Sequence, residues 1–230
     1  MQPQPHYSEP ELLRDILPEG VHSTFSSALA ADASLLGTEL EMSRKMAEKR
    51  YNEFIHGRHC AREVLQQLGY PAADIGKGES REPLWPDGVV GTISHTQHFA
   101  AAAVSMQTHY LGIGVDMESA TPLEEKLFKA ICRDEELKKF NDDGLNTEMA
   151  GKRAKLLFSI KESIYKCLWP SIRHFIDFTE IHVQLNESDG SYSATPYTDK
   201  VSKEFLQRLR GRYKQHEGLI LTSAWIDARR

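Results

Sequence analysis

The chain has 230 residues, 40% of them hydrophobic, which is enough to bury a core in one large domain or two smaller ones. Its formal net charge of −5 argues against nucleic acid as the main partner, because phosphate backbones recruit strongly basic surfaces. We find no apolar run of about twenty residues and therefore expect no membrane span. Three widely spaced cysteines, without a Cys-x-x-Cys pair, predict reduced core residues, and the cytoplasm is the expected compartment.

The first part of the chain is predicted to be an N-terminal lead segment without regular structure, followed by helices. Three prolines predict a poorly ordered lead over residues 1–10. From Glu39 the pattern is helical, with Gly57 as a candidate break and Gly69 placed to end the helix. Arg58, in the middle of this pattern, is typical of a solvated arginine on an amphipathic helix.

A loop and two strands come next. Glycines and prolines predict a loop over residues 76–86, which contains Arg81. Residues 89–95 read as a short strand that runs into a turn at His95, and residues 99–104 as the next strand. An imidazole at such a junction can donate to a phosphate oxygen, although a histidine at a strand end is more often a structural residue.

The segment Leu-Gly-Ile-Gly-Val-Asp-Met-Glu, residues 111–118, alternates apolar with small or acidic residues. A strand would place Asp116 and Glu118 on the same face. Such a pair can hold a divalent cation, although an Asp-x-Glu on a strand is also typical of a solvated face.

A long helix is predicted from about Thr147 to just before Pro170. Its apolar side chains follow helical spacing and leave Glu162 on the other side, one turn before Lys166. That arrangement is usually a surface ion pair. Together with the two strand acids, however, Glu162 would complete a set of three carboxylates, the hard oxygen ligands that Mg²⁺ prefers, and Lys166 could neutralise a phosphate oxygen beside the metal.

Beyond this helix, residues 178–185 alternate like a strand, residues 186–190 read as a turn, and residues 218–226 read as a final strand. Each half of the chain therefore offers helices together with a few strands. No repeat of 20–50 residues is visible, which argues against a solenoid.

Two motifs, spaced forty residues apart, carry a family resemblance: Gly-Ile-Gly-Val-Asp-Met-Glu at 112–118 and Phe-Ser-Ile-Lys-Glu-Ser-Ile-Tyr-Lys at 158–166. Their pairing resembles the double signature of the 4′-phosphopantetheinyl transferases, in the branch that activates enterobactin and surfactin synthetases. The resemblance implies an α+β fold built as a pseudo-twofold pair of similar halves, with coenzyme A bound in the cleft between them. Residues 1–110 would anchor the nucleotide, and residues 111–230 would carry the metal and the catalytic residues.

The resemblance also implies a reaction and its residues. The 4′-phosphopantetheine arm of coenzyme A would pass to a serine of a carrier domain, releasing adenosine 3′,5′-bisphosphate. Asp116, Glu162 and Lys166 would be catalytic, and Asp116, Glu118 and Glu162 would hold Mg²⁺, with Mn²⁺ as the alternative ion. The residues expected to bind coenzyme A are Arg58, Arg81, Ser94, His95, Lys161 and Lys166.

The implied partners are apo acyl-carrier or peptidyl-carrier domains of nonribosomal peptide, polyketide or fatty-acid synthases, with a siderophore pathway favoured by the enterobactin-like type. A monomer is expected, because both halves of the site lie on one chain. Two alternatives stay open: a Mg²⁺-dependent phosphohydrolase acting on a nucleotide or on coenzyme A, and a non-catalytic module that binds carriers or stores coenzyme. The sequence leaves open whether Glu162 serves mainly as metal ligand or as base.

Overall fold

The computed structural model describes residues 11–30 and 33–229. The lead predicted over residues 1–10 lies outside these ranges. Within them, every helix is too short or too polar to cross a membrane.

The first half of the chain forms a three-stranded antiparallel sheet with a long helix packed on it. Its elements are α1 (Glu11–Arg14), β1 (His22–Ser26), α2 (Thr38–Ser43), α3 (Glu48–Gln67), β2 (Val89–His95) and β3 (Ala100–Met106). The strands lie in the order β1-β3-β2. Four consecutive alanines, residues 100–103, open β3, and because their side chains are small, α3 packs closely on the sheet through Cys60, Ala61 and Val64.

The second half forms a five-stranded antiparallel sheet in the order β4-β8-β7-β6-β5. Its elements are β4 (Tyr110–Ser119), a 3-10 turn (Glu125–Leu127), α4 (Phe128–Ile131), α5 (Asp134–Asp142), α6 (Thr147–Ile172), a second 3-10 turn (Phe178–Glu180), β5 (Ile181–Asn186), β6 (Ser191–Pro196), α7 (Lys203–Leu206), β7 (Leu209–His216) and β8 (Leu219–Asp227). The apolar stripe of α6 packs on this sheet, with Leu157, Ile160 and Ile164 buried against β8 residues such as Ile220 and Ala224.

The two halves meet where β2 runs beside β4. Thr92 Oγ1 accepts a hydrogen bond from the Val115 backbone N–H at 3.2 Å, and Ser94 Oγ accepts one from Met117 N–H at 3.1 Å. Side-chain hydroxyls thus take the place of a backbone ladder at this seam. The α+β prediction is confirmed by this arrangement of helices and two sheets.

The contact between α6 and β4 has no room for a side chain at Gly112 or Gly114. A Cβ atom added at Gly114 would lie 1.8 Å from the Ser163 carbonyl oxygen, and one added at Gly112 would lie 1.9 Å from the Cys167 carbonyl oxygen. The glycines that alternate with apolar residues in β4 therefore let the backbone of α6 rest directly on the strand.

Two predicted helix boundaries were wrong. The helix α3 passes through Gly57 without a break; a Cβ there would lie 2.9 Å from Ile93 Cγ2, so the glycine allows close packing on β2. The helix α6 continues through Pro170 to Ile172, and because the proline lies in the last turn, the backbone hydrogen bond that it removes is near the end of the helix. Arg173, with φ of 51°, then ends the helix in the left-handed region.

The strand predicted from residue 178 begins later. Residues Phe178–Glu180 form a 3-10 turn, and β5 starts at Ile181. Asp177 accounts for the turn, because its side chain accepts from the Thr179 N–H at 3.1 Å while Glu180 accepts from the Asp177 N–H at 2.7 Å.

Candidate active site

The two acids of β4 face a polar stripe on α6. The stripe consists of Lys155, Ser159, Glu162 and Lys166, spaced i, i+4, i+7 and i+11, so that all four side chains lie on one side of the helix. Lys155 and Ser159 were missed in the sequence analysis, although this spacing was available as a signal.

Asp116 is the most enclosed charged side chain of the group, with 5% of its surface exposed. Its Oδ1 accepts hydrogen bonds from Lys166 Nζ at 2.7 Å and from Ser94 Oγ at 3.1 Å, and its Oδ2 accepts one from Ser159 Oγ at 2.9 Å. Three donors from β2 and α6 therefore fix this carboxylate. Ser94, an expected coenzyme-binding residue, is engaged with Asp116 and with the Met117 N–H.

A buried hydroxyl network lies beneath Asp116. Ser159 Oγ is 3.0 Å from Thr222 Oγ1, which lies 2.5 Å from Ser163 Oγ and donates to the Ser159 carbonyl oxygen at 2.9 Å. All three side chains are fully buried. Because each hydroxyl has a partner, the network holds Ser159 in position to donate to Asp116.

Glu118 is paired with the lysine at the start of the stripe. Its Oε2 accepts a hydrogen bond from Lys155 Nζ at 2.7 Å. The same ammonium lies 5.4 Å from the centroid of the Phe158 ring, a distance compatible with a cation–π contact.

Glu162 is half-buried at the centre of the stripe. Burial raises the pKa of its carboxyl group; Lys166 opposes this shift, and the charges of Asp116 and Glu118 add to it. The three carboxylates thus lie close enough to interact electrostatically. A glutamate with a raised pKa next to a lysine is a reasonable proton acceptor for a reacting hydroxyl group.

The expected three-carboxylate metal site is not formed in this arrangement. Within residues 11–30 and 33–229, no group of three or more acidic, histidine or cysteine side chains is placed to hold a metal ion. The physical reason is that Asp116 and Glu118 are turned toward lysines. The donor chemistry still suits Mg²⁺, because three carboxylates on neighbouring elements carry a charge excess that only two ammonium groups offset.

Lys161 is not brought to this group, in contrast to the expectation that it binds coenzyme A. Its ammonium is buried and donates to Glu136 Oε2 at 2.7 Å and to the Ile131 carbonyl oxygen at 2.8 Å. Glu136 also accepts from the Val183 N–H at 2.8 Å. Burial lowers the pKa of Lys161, and Glu136 opposes that shift. The pair therefore joins α5, α6 and β5 as a structural contact.

Arg58 is buried in the first half. Its guanidinium donates to the Gly76 carbonyl oxygen at 3.3 Å, lies 3.7 Å from Glu39 Oε1, and lies 4.7 Å from the centroid of the Phe54 ring. Burial lowers its pKa to about 10, so the group stays charged at neutral pH. Arg62 is occupied by a buried ion pair with Glu39 at 2.8 Å.

His95 lies at the end of β2 against Arg50, which is not among the expected site residues. Arg50 Nη1 is 2.6 Å from His95 Nε2, and His95 Nδ1 is 3.7 Å from Glu53 Oε2. A guanidinium can only donate, so Nε2 is the acceptor and the proton resides on Nδ1. Burial, followed by the charge of Arg50, lowers the pKa of His95 to about 4.

A cavity of about 450 Å³ lies between the two halves. The loop and β2 of the first half line it, with Arg81 and Trp85 among their residues, and α6 lines the opposite side with Glu162, Lys166 and Trp169. Its volume is in the range of small-molecule sites, about 300 to 1,000 Å³. Glu162 and Lys166 therefore face the expected nucleotide-anchoring half across this cavity.

Comparison with known proteins identifies the family. The profile of the 4′-phosphopantetheinyl transferase N-terminal domain matches residues 38–105, and that of the 4′-phosphopantetheinyl transferase superfamily matches residues 112–219. The 4′-phosphopantetheinyl transferase Npt of Nocardia iowensis is 36% identical over 78% of this chain and 79% of the relative. The chain belongs to the 4′-phosphopantetheinyl transferase family. The enzyme type implied by the paired signatures is thus confirmed.

Two further relatives describe the branch of this transferase. The 4′-phosphopantetheinyl transferase PptT of Mycobacterium tuberculosis is 33% identical over 82% of this chain and 84% of its own length. Enterobactin synthase component D of Salmonella typhi is 35% identical over 54% of this chain and 50% of its own length. The chain is therefore a transferase of the type that includes enterobactin synthase component D.

Proposed function

We propose that this transferase moves the 4′-phosphopantetheine arm of coenzyme A, with Mg²⁺, to a serine hydroxyl of an acyl- or peptidyl-carrier domain and releases adenosine 3′,5′-bisphosphate. One observation carries the proposal: Lys166 Nζ lies 2.7 Å from Asp116 Oδ1, so the two distant signatures meet beside the cavity between the halves. Glu162, one turn before Lys166, lines the same cavity.

The first half offers cationic and neutral donors for the nucleotide end. Arg50 and the neutral His95 lie together at the end of β2, and Arg81 lines the cavity. Arg58 contributes positive charge from a buried position. These groups suit the 3′-phosphate and the diphosphate of coenzyme A.

The second half offers the metal ligands. Asp116, Glu118 and Glu162 would hold Mg²⁺, which neutralises charge on a diphosphate and orients it when bound. Ser94 and Ser159 hold Asp116 by hydrogen bonds at 3.1 and 2.9 Å, so they act through that carboxylate.

The reaction is a phosphoryl transfer, in which positioning and charge neutralisation dominate. The carrier serine oxygen forms a bond to the phosphorus next to the pantetheine arm, and the bond from that phosphorus to the bridging oxygen breaks. The bridging oxygen leaves with adenosine 3′,5′-bisphosphate. Glu162 takes the serine proton, directly or through one water, and Lys166 offsets charge on the leaving group.

The relatives support a class of carrier. The match to enterobactin synthase component D supports carriers of siderophore or other nonribosomal peptide synthases. Polyketide and fatty-acid carriers share the same reacting serine and phosphopantetheine chemistry, so we include them in the substrate class.

The proposal is tested with purified protein, coenzyme A, Mg²⁺ and apo carriers from peptide, polyketide and fatty-acid synthases. Mass spectrometry should find phosphopantetheine added to the serine of at least one carrier, with adenosine 3′,5′-bisphosphate released in equal amount. Release of inorganic phosphate or free phosphopantetheine, with every carrier unmodified, would instead identify a phosphohydrolase.

Two isosteric variants test the residues. Asp116→Asn and Glu162→Gln should each lower the transfer rate by at least about 100-fold. Asp116→Asn removes a charged ligand of the proposed Mg²⁺ ion, and Glu162→Gln removes the proposed base. Glu148→Gln is the matched control, since Glu148 is an exposed glutamate on the same helix that pairs with Lys152. Full activity in both site variants would exclude this assignment.

A further inference from the structure

Among the described residues, one side chain hydrogen-bonds to the carboxylate of Glu118, namely Lys155 at 2.7 Å. Asp116, two residues earlier, is held by three donors. The position of Glu118 therefore depends on a single ammonium group. This lysine has no part in the reaction described above.

The Lys155 and Glu118 side chains are partly enclosed, with 16% and 27% of their surfaces exposed. Lys155 also lies over Phe158. Solvent screens this ion pair less than it screens a pair such as Lys152 and Glu148, with 52% and 67% exposed.

The charges around the site explain the pairing. Asp116, Glu118 and Glu162 carry three negative charges, and each of the β4 acids holds one lysine: Lys166 on Asp116 and Lys155 on Glu118. Two ammonium groups together supply the charge of one divalent cation. An ammonium that donates to a carboxylate oxygen also occupies a lone pair that a metal would need.

We propose that Lys155 is an internal competitor of the divalent cation at Glu118 and so sets the affinity of the site for metal. This inference rests on the proposed Mg²⁺ site. Metal binding displaces the Lys155 ammonium from Glu118, and the released charge becomes available to an anionic ligand. Metal and diphosphate therefore favour each other's binding, because the diphosphate gives the displaced lysine a new partner.

The test measures Mn²⁺ binding by electron paramagnetic resonance, which reports free Mn²⁺ directly, without coenzyme A or carrier present. Lys155→Met keeps an unbranched stem that can pack on Phe158 but removes the charge. We expect it to bind Mn²⁺ about twofold to fivefold more tightly than the parent protein, the range expected when a competing ion pair is lost. Lys155→Arg, which keeps the charge, should stay near the parent affinity.

Lys152→Met is the matched control, because it removes a lysine from an exposed pair on the same helix and should leave Mn²⁺ affinity unchanged. If Lys155 only supported the shape of the site, Lys155→Met would bind Mn²⁺ equally or more weakly, and either result overturns the inference. Lys155→Gln provides the same comparison should the methionine variant not fold.

Failure of the metal site itself gives a different result. If neither the parent protein nor Lys155→Met binds Mn²⁺, with or without coenzyme A, both the proposed metal site and this inference are overturned. If the parent protein binds Mn²⁺ in a manner that Asp116→Asn abolishes, and Lys155→Met is no tighter, only the role of Lys155 is overturned.

Discussion

The contact between Arg50 and His95 determines the protonation state of the imidazole. At 2.6 Å from a permanent donor, Nε2 has to accept, and a second proton there would place two positive groups in contact. His95 is therefore a neutral hydrogen-bonding group at physiological pH in the free enzyme.

Replacing Arg50 with methionine should raise the pKa of His95, because the second cause of its depression is removed. Burial is the first cause and remains, so the pKa should stay below the value of about 6.5 for an exposed imidazole. The measurement is an NMR titration of the His95 ring protons from pH 3.5 to 8. Arg44→Met, which removes an exposed arginine paired with Glu41, should leave the His95 titration unchanged.

The lowered pKa of His95 also makes the stability of the fold depend on pH. Between pH 4 and 6.5 the unfolded chain binds a proton at His95 that the folded chain does not, so this residue makes the folded state less stable as pH falls through that range. A His95 pKa in the parent protein near or above 6.5 would contradict the assignment of a neutral imidazole.

At the scale of elements, the contact between α6 and β4 can be tested with two glycine substitutions. One introduces a clash with backbone atoms, and the other changes only the conformational preference of the backbone. Gly114 has no room for a Cβ, which would lie 1.8 Å from the Ser163 carbonyl oxygen. Gly69 has open space but a φ of 88°, which is unfavourable for other residues.

Gly114→Ala should therefore lower the free energy of unfolding by more than about 3 kcal/mol, because the clash is with backbone atoms that cannot rotate away. Gly69→Ala should cost about 1 kcal/mol from the left-handed conformation alone. Urea unfolding followed by circular dichroism measures both values. Equal losses for the two variants would show that α6 can shift away from β4.

The sequence predicted those parts of the site that a local pattern determines. Alternation in β4 placed Asp116 and Glu118 on one face, and helical spacing placed Glu162 and Lys166 on another. Lys161 lies next to Glu162 in the chain, but its side chain points about 100° away around the helix. No local sequence pattern indicates that Lys161 pairs with Glu136 in the core. The partners Thr222 and Arg50 were likewise out of reach, because they depend on which strands and helices become neighbours.

The hydrogen bonds between the two halves could not be predicted from a local sequence pattern either. Thr92 reads as an ordinary residue of a short strand and Ser94 was expected to bind coenzyme A, yet the hydroxyls of both accept hydrogen bonds from the β4 backbone. Hydroxyl groups carry no periodic signal that separates a solvated side chain from one that bridges two sheets.

At the scale of the whole molecule, one hydrophobic cluster includes residues from both halves. Phe25, Val90 and Ala101 from the first sheet pack with Ile113 and Val115 from β4. Neither half can open without exposing apolar surface of the other. The two halves should therefore unfold together.

Tryptophan fluorescence can test this because Trp85 lies in the first half and the other two tryptophans, Trp169 and Trp225, in the second. In urea, Trp85→Phe reports the second half, and the double variant Trp169→Phe, Trp225→Phe reports the first. The two transitions, each corrected for the stability change of its variant by circular dichroism, should have the same midpoint. A first-half transition at distinctly lower urea would mean independent halves.

The glycine contact between α6 and β4 sets the spacing between the acids and the helical stripe through main-chain atoms. Side chains such as Leu157 and Ile160 also hold α6 on the sheet, but they do not lie between the two touching backbones. Substitutions among the buried leucines and isoleucines should therefore change the melting temperature of this protein more than they change the separation of the acids from the lysines. Alanine at Gly114 should have the opposite emphasis, because it acts on that separation directly.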